Sequence, residues 1–149
     1  DDCFNATSRS IKALFDYLDS YDVDVKGTLL KPNMITAGAD HSNKSSVEEV
    51  AEYTLKCLKE NVPSDLPGIT FLSGGQTEIE STEHLDAMNK LEELPWKLSF
   101  SYGRALQQSA LNAWLGKDEN MAAAQNAFSH RAHMNKLAAL GEWSKSLEG

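Results

Sequence analysis

The chain has 149 residues, 41% of them hydrophobic, which is enough to bury one ordinary core and makes a single soluble domain the expectation. Its 14 Lys and Arg against 22 Asp and Glu leave a net charge of −8, which argues against a nucleic-acid partner or an anionic membrane surface but leaves room for a local patch holding one phosphorylated molecule. No run of ~18 apolar residues offers a membrane span, and the opening Asp1-Asp2-Cys3-Phe4-Asn5 does not have the basic-then-apolar build of a secretory signal.

In chain order, Ile11, Leu14, Phe15 and Leu18 recur at three- and four-residue spacing and predict a helix over residues 8–21 with that face buried. Val23 and Val25 alternate with Asp22, Asp24 and Lys26, and Gly27-Thr28-Leu29-Leu30 runs into Lys31-Pro32, so a strand is predicted with Lys31 at its end. Residues 33–45 lack apolar periodicity and read as a long functional loop. Ser46 and Glu49 have capping-box spacing, and Val47, Val50, Ala51, Leu55 and Leu58 line one face of the helix that follows, to about Asn61. Pro63 and Pro67 break it. Gly68-Ile69-Thr70-Phe71-Leu72 is a second short strand, followed by Ser73-Gly74-Gly75-Gln76 and a helical stretch with Ile79, Leu85 and Met88. Trp96-Lys97-Leu98-Ser99-Phe100 is a third, followed by Ser101-Tyr102-Gly103-Arg104 and a helix marked by Ala105, Leu106, Ala110, Leu111 and Trp114. A last Ala-rich helix over residues 118–140 ends at Gly141, a residue suited to a left-handed helix terminus.

Repeated strand, loop and helix units predict an α/β fold with parallel strands, because parallel neighbours need a crossover and helices supply it. Every chemically suggestive group then falls on the C-terminal side of the strands, where such folds bind ligands. A lysine there has two readings. It is either a solvated surface residue, or an amine partly desolvated at the end of a buried strand, whose neutral form is available as a Schiff-base nucleophile. Ser73-Gly74-Gly75 likewise reads either as a tight turn needing positive φ or as a loop whose bare N–H groups approach a phosphate oxygen. Ser101, Gly103 and Arg104 add a hydroxyl, a glycine and a guanidinium at a helix start, where the dipole favours an anion. Two such loops on adjacent strands would give the arrangement of a barrel's phosphate site, which is frequently built from the loops after its last two strands.

Other residues carry plainer expectations. Cys3 and Cys57 lie far apart without a C-x-x-C pattern, which suits the reducing cytoplasm. Asn5-Ala6-Thr7 and Asn43-Lys44-Ser45 match the glycosylation sequon, and neither is expected to be used. His41 sits in a loop and His84 in a helix, and His130 with His133 has helical spacing without a metalloprotease pattern, so no metal site and no cofactor is predicted. Trp96, Trp114 and Trp143 read as packing residues, and Glu78, Glu80 and Glu83 as a solvated face complementing a helix dipole.

Three segments, Gly27-Thr28-Leu29-Leu30-Lys31-Pro32-Asn33-Met34, Gly68 to Gln76 and Leu98 to Gln107, resemble signature segments of the class I, Schiff-base fructose-bisphosphate aldolases in order and spacing, and the resemblance runs from about Ile11 to Gly141. It implies a (β/α)₈ TIM barrel of which residues 1–149 supply about the last three β/α units as part of one domain, with Lys31 as the Schiff-base lysine and Ser73, Gly74, Gly75, Ser101, Gly103 and Arg104 as phosphate-binding residues. It also implies reversible cleavage of fructose 1,6-bisphosphate to dihydroxyacetone phosphate and glyceraldehyde 3-phosphate without a metal, in a cytoplasmic homotetramer. The remaining strands, which carry the family's acid/base carboxylates, become an implied partner, and this chain alone is expected to be inactive. Departures are Ala37, where a proline is common, and the lack of the family's long tail ending in tyrosine. Alternatives are a non-catalytic phosphate-binding or interaction module built on the half-barrel, and another Schiff-base sugar-phosphate lyase.

Overall fold

The structure, a computed structural model, describes residues 1–38 and 40–149. Ala39, in the predicted loop, lies outside the described residues. The first helix, α1 (Asp2–Ser20), starts well before residue 8. Of its predicted apolar face only Ile11 is buried. Phe15 and Leu18 are half-buried and Leu14 is exposed, because α1 packs chiefly against α2 (Val47–Asn61).

The predicted strand after α1 shrinks to β1 (Leu29–Leu30), and Val25–Gly27 forms a 3₁₀ turn in its place. The reason is local: the Asp24 carboxylate accepts the Lys26 N–H at 3.0 Å, a side-chain turn that outcompetes ladder pairing for a segment with weak apolar alternation. The helix α2 begins as its capping box predicts, with Ser46 Oγ accepting Glu49 N–H at 3.1 Å and Glu49 Oε2 accepting Ser46 N–H at 2.8 Å. The same reciprocal pair, Thr77 with Glu80, opens α3 (Glu78–Leu91).

Between them runs β2 (Gly68–Phe71), and β3 (Lys97–Phe100) follows α3. The three strands form an open parallel sheet in the order β1-β2-β3, with Leu29 opposite Gly68, Ile69 opposite Leu98 and Phe71 opposite Phe100. Gly68 is required there: a Cβ would lie 3.1 Å from the Lys97 carbonyl oxygen, a backbone atom that cannot step aside. Pairing continues past the strand ends. Leu72 N–H donates to Pro32 C=O at 3.0 Å and Ser101 N–H to Phe71 C=O at 2.9 Å, so all three exits are held in register.

The chain closes with α4 (Arg104–Trp114) and α5 (Met121–Ala139), and Gly141, at φ +69, terminates α5 in the left-handed region as predicted. The core is centred on β2: Ile69 and Phe71 are inaccessible to solvent and meet Leu55, Leu58, Leu85 and Met88 among the fully buried side chains of α2 and α3. Trp96 and Trp143 are core residues as expected, but Trp114 is 42% exposed and Leu111 beside it is also open. The predicted face of α4 is therefore covered only in part: Ala105 is buried and Leu106 and Ala110 are half-buried. Among the described residues β1 and β3 have no further strand neighbour, and Leu29 at the β1 edge is 64% exposed. Leu30 and Phe100 are half-buried.

Candidate active site

Lys31 stands one residue past β1, and the proline after it has no N–H to continue the ladder. One strand over, Ser73 to Gln76 make a four-residue turn closed by Gln76 N–H to Ser73 C=O at 3.1 Å. Gly75 in that turn has φ +79, so the tight-turn explanation holds for it. A Cβ on Gly74 would come within 3.2 Å of Leu72 Cδ1. The turn therefore explains glycine at Gly75, whereas at Gly74 the contact is only with the end of a flexible leucine side chain. What the turn leaves over is more informative: among the described residues the N–H groups of Gly74 and Gly75 have no acceptor, although neither residue is buried.

The exit of β3 is organised by Tyr102. Its ring is buried, its hydroxyl donates to Ser81 C=O at 2.8 Å, and burial pushes its phenol pKa upward. Anchoring Tyr102 inward leaves Ser101 and Gly103 on either side of it facing solvent. Gly103 is the N-cap of α4 and provides no side-chain cap, while the Gly103 carbonyl accepts Leu106 and Gln107 N–H. The positive end of α4 is thus unsatisfied at Gly103 and Arg104 among the described residues. A Cβ on Gly103 would meet no atom within 4 Å.

These exits converge. Lys31, Ser73, Gly74, Gly75, Ser101, Gly103 and Arg104, all seven residues singled out from the sequence, line one cleft of about 660 Å³. Lys31 is exposed in it, so the expected desolvation at a strand end is not provided by these residues alone: among the described residues β1 is an edge strand with no neighbour on its outer side. Arg104 is exposed too, and among the described residues neither cation forms an ion pair. Both line the cleft while remaining open to solvent.

The sequence reading missed the polar network that ties the exits together. Asn33 Nδ2 donates to Gly74 C=O at 3.3 Å, and His84 Nδ1 donates to Gln76 Oε1 at 2.7 Å. His84 is only 7% exposed, and burial lowers its pKa against a smaller opposing pull from Glu80, which favours the neutral ring. Nothing in the spacing of Gln76 and His84 marked this contact, because it crosses from a turn into the buried face of α3. Glu78 also differs from expectation: it lines the cleft and accepts hydrogen bonds from Ser109 instead of belonging to a solvated face. Among the described residues no group of three His, Cys, Asp or Glu side chains converges as metal ligands would. A larger depression of about 1110 Å³ lies beside Gly74 and Gly75 but is bordered by Asp1, Asp2, Asp40 and Glu49 against one lysine, Lys44, a balance ill suited to a phosphate.

The sequence profile described as fructose-bisphosphate aldolase class-I matches residues 1–149. The chain belongs to the class I fructose-bisphosphate aldolase family. A probable class 1 aldolase of Xylella fastidiosa is 50% identical over 141 residues, covering 94% of this chain and 42% of that protein. The cytoplasmic isozyme of Spinacia oleracea is 49% identical across the chain and again 42% covered. In structure, the Plasmodium falciparum aldolase superposes with a TM-score of 0.93 at 44% identity, over 95% of this chain and 41% of that one. The chain spans about two fifths of the length of the aldolase relatives it matches.

Proposed function

We propose that this chain is the C-terminal part of a (β/α)₈ aldolase barrel, one domain without internal boundary, that cleaves fructose 1,6-bisphosphate reversibly to dihydroxyacetone phosphate and glyceraldehyde 3-phosphate in the cytoplasm. The observation that carries this reading is the convergence of Lys31 with the two amide-bearing exits in one cleft, on a chain whose family is that of the aldolases. Catalysis follows from those groups. The Lys31 amine adds to the C2 ketone and water leaves, giving an iminium. When the C3–C4 bond breaks, its electron pair flows into the iminium and forms an enamine, while the aldehyde departs. Protonation at C3 and hydrolysis then release dihydroxyacetone phosphate and restore the amine. The open N–H groups of Gly74, Gly75 and Gly103, the hydroxyls of Ser73 and Ser101, and the Arg104 guanidinium hold the phosphate and set the distance from Lys31 to C2.

The partner this requires is the remainder of the barrel. Bare edges at β1 and β3 and the exposed Leu29 fit a sheet completed by further strands, which would also cover Lys31 and supply the carboxylate that deprotonates the C4 hydroxyl. Assembly of such barrels into a homotetramer belongs to the same reading. The test is borohydride reduction in the presence of dihydroxyacetone phosphate, with the chain completed by the remaining strands. The adduct mass is expected on Lys31. An adduct on another lysine, or activity abolished by a chelator, would sink the assignment.

A further inference from the structure

Among the residues that line the strand-end cleft, Glu78 is the single carboxylate. A free negative charge there would oppose the binding of a phosphate ester. Its two oxygens are both occupied by one residue of α4: Oε1 accepts the Ser109 N–H at 3.0 Å, and Oε2 accepts the Ser109 hydroxyl. The pairing spans 31 residues of sequence and joins the first residue of α3 to the middle of α4.

Its position in the fold is specific. Glu78 follows Gly75 by three residues, and Ser109 follows Arg104 by five, so the two ends of the contact sit just behind the two exits that carry the open amides. We propose that the Glu78–Ser109 pair is a positioning clamp for a phosphate monoester: it fixes the Ser73 to Gly75 turn and the start of α4 at one separation, so that both sets of N–H groups and Arg104 meet the same oxyanion. The clamp rests on the phosphate-binding reading above. The carboxylate serves it twice, since two donors hold its charge on α4 and the same two hydrogen bonds lock the helices. Charge-assisted bonds of this kind are the strong ones, so losing the clamp loosens the hold of the cradle on the oxyanion.

Two explanations of Glu78 predict opposite signs. A clamp makes Glu78→Ala weaken anion binding, whereas a merely repulsive charge in the cleft makes the same change tighten it. The measurement is calorimetric titration of inorganic phosphate and of dihydroxyacetone phosphate into the completed protein, with steady-state kinetics and a thermal melt of each variant. For Glu78→Ala, affinity for both ligands is expected to fall about tenfold and KM to rise in proportion, with kcat within about twofold. Glu78→Gln keeps an acceptor oxygen for the Ser109 N–H and should stay within about threefold of wild type. Should Glu78→Ala fail to fold, Ser109→Ala, which removes only the hydroxyl, is expected to weaken both ligands about threefold with the helix intact. Unchanged or tighter binding in these alanine variants overturns the clamp while leaving the phosphate site standing. Wild-type protein that takes up no inorganic phosphate and forms the Lys31 adduct as readily with dihydroxyacetone as with dihydroxyacetone phosphate overturns the phosphate reading and the clamp with it.

Discussion

Two charged regions of the molecule treat their charges in opposite ways. Behind α3 and α5, Arg131 is only 4% exposed and donates from both terminal nitrogens to Glu148, at 2.8 and 2.6 Å. Trp143 Nε1 donates to the same carboxylate at 2.9 Å, and its backbone N–H donates to Asp86, which also pairs with Lys90. Among the described residues only Arg131 Nε and Asn135 Nδ2 there lack acceptors. At the strand exits, Lys31 and Arg104 converge with open amides, and the single carboxylate among the described residues lining that cleft, Glu78, is committed to Ser109. Charge answered within the chain holds the fold together. Charge gathered in a concave site and left unanswered is available to a ligand.

Exchanging the charges tests that division. Arg131→Met is expected to have the largest effect on folding, because it removes both terminal-nitrogen donors from the half-buried Glu148 carboxylate beside Trp143, and hydrogen bonds to a charged group are worth about 1.5–3 kcal/mol each. A melt that moves by only a degree or two would show that the pair is dispensable. Arg104→Ala is expected to do the reverse. Its thermal stability should stay within about 0.5 kcal/mol of wild type, while KM for a phosphorylated substrate in the completed protein rises by the ~1.5–3 kcal/mol of a charge-assisted bond. An unchanged KM would remove Arg104 from the phosphate site.

The smallest effect is a pH dependence. Burial raises the Glu148 pKa, but the Arg131 hydrogen bonds and charge, with help from Trp143 and His130, outweigh it and leave the carboxyl below its ordinary value of 4.5. A group depressed in the folded state stabilises above its unfolded pKa and loses that contribution as pH falls through the folded one. Stability should therefore decline as pH drops below about 4.5, and this acid slope should flatten in Glu148→Gln. A slope identical in the variant would assign the acid sensitivity to other carboxylates.

Much of the architecture was legible in the sequence. The Ser46 and Glu49 capping box, the strand segments Gly68–Phe71 and Lys97–Phe100 and the helix stop at Gly141 are local features, set by hydrogen bonds and φ preferences within a few residues. That the seven residues singled out would gather in one cleft was legible for a related reason: a parallel α/β order sends every strand's C-terminal end to the same side, so motifs at those ends must cluster. The failures came where burial depends on neighbours. Val23 and Val25 alternate like a strand but yielded to the Asp24 turn, and Leu14, Leu111 and Trp114 kept helical periodicity yet face solvent. Periodicity states which side chains share a face and says nothing of what covers it. Only the tertiary structure decided that His84 reaches Gln76, that Glu78 is held by Ser109 and that Arg131 pairs with Glu148, since each contact joins elements whose approach no local pattern encodes. The exposure of Lys31 belongs to the same class: its position was set by the chain, and its solvation by whichever strand lies beside β1.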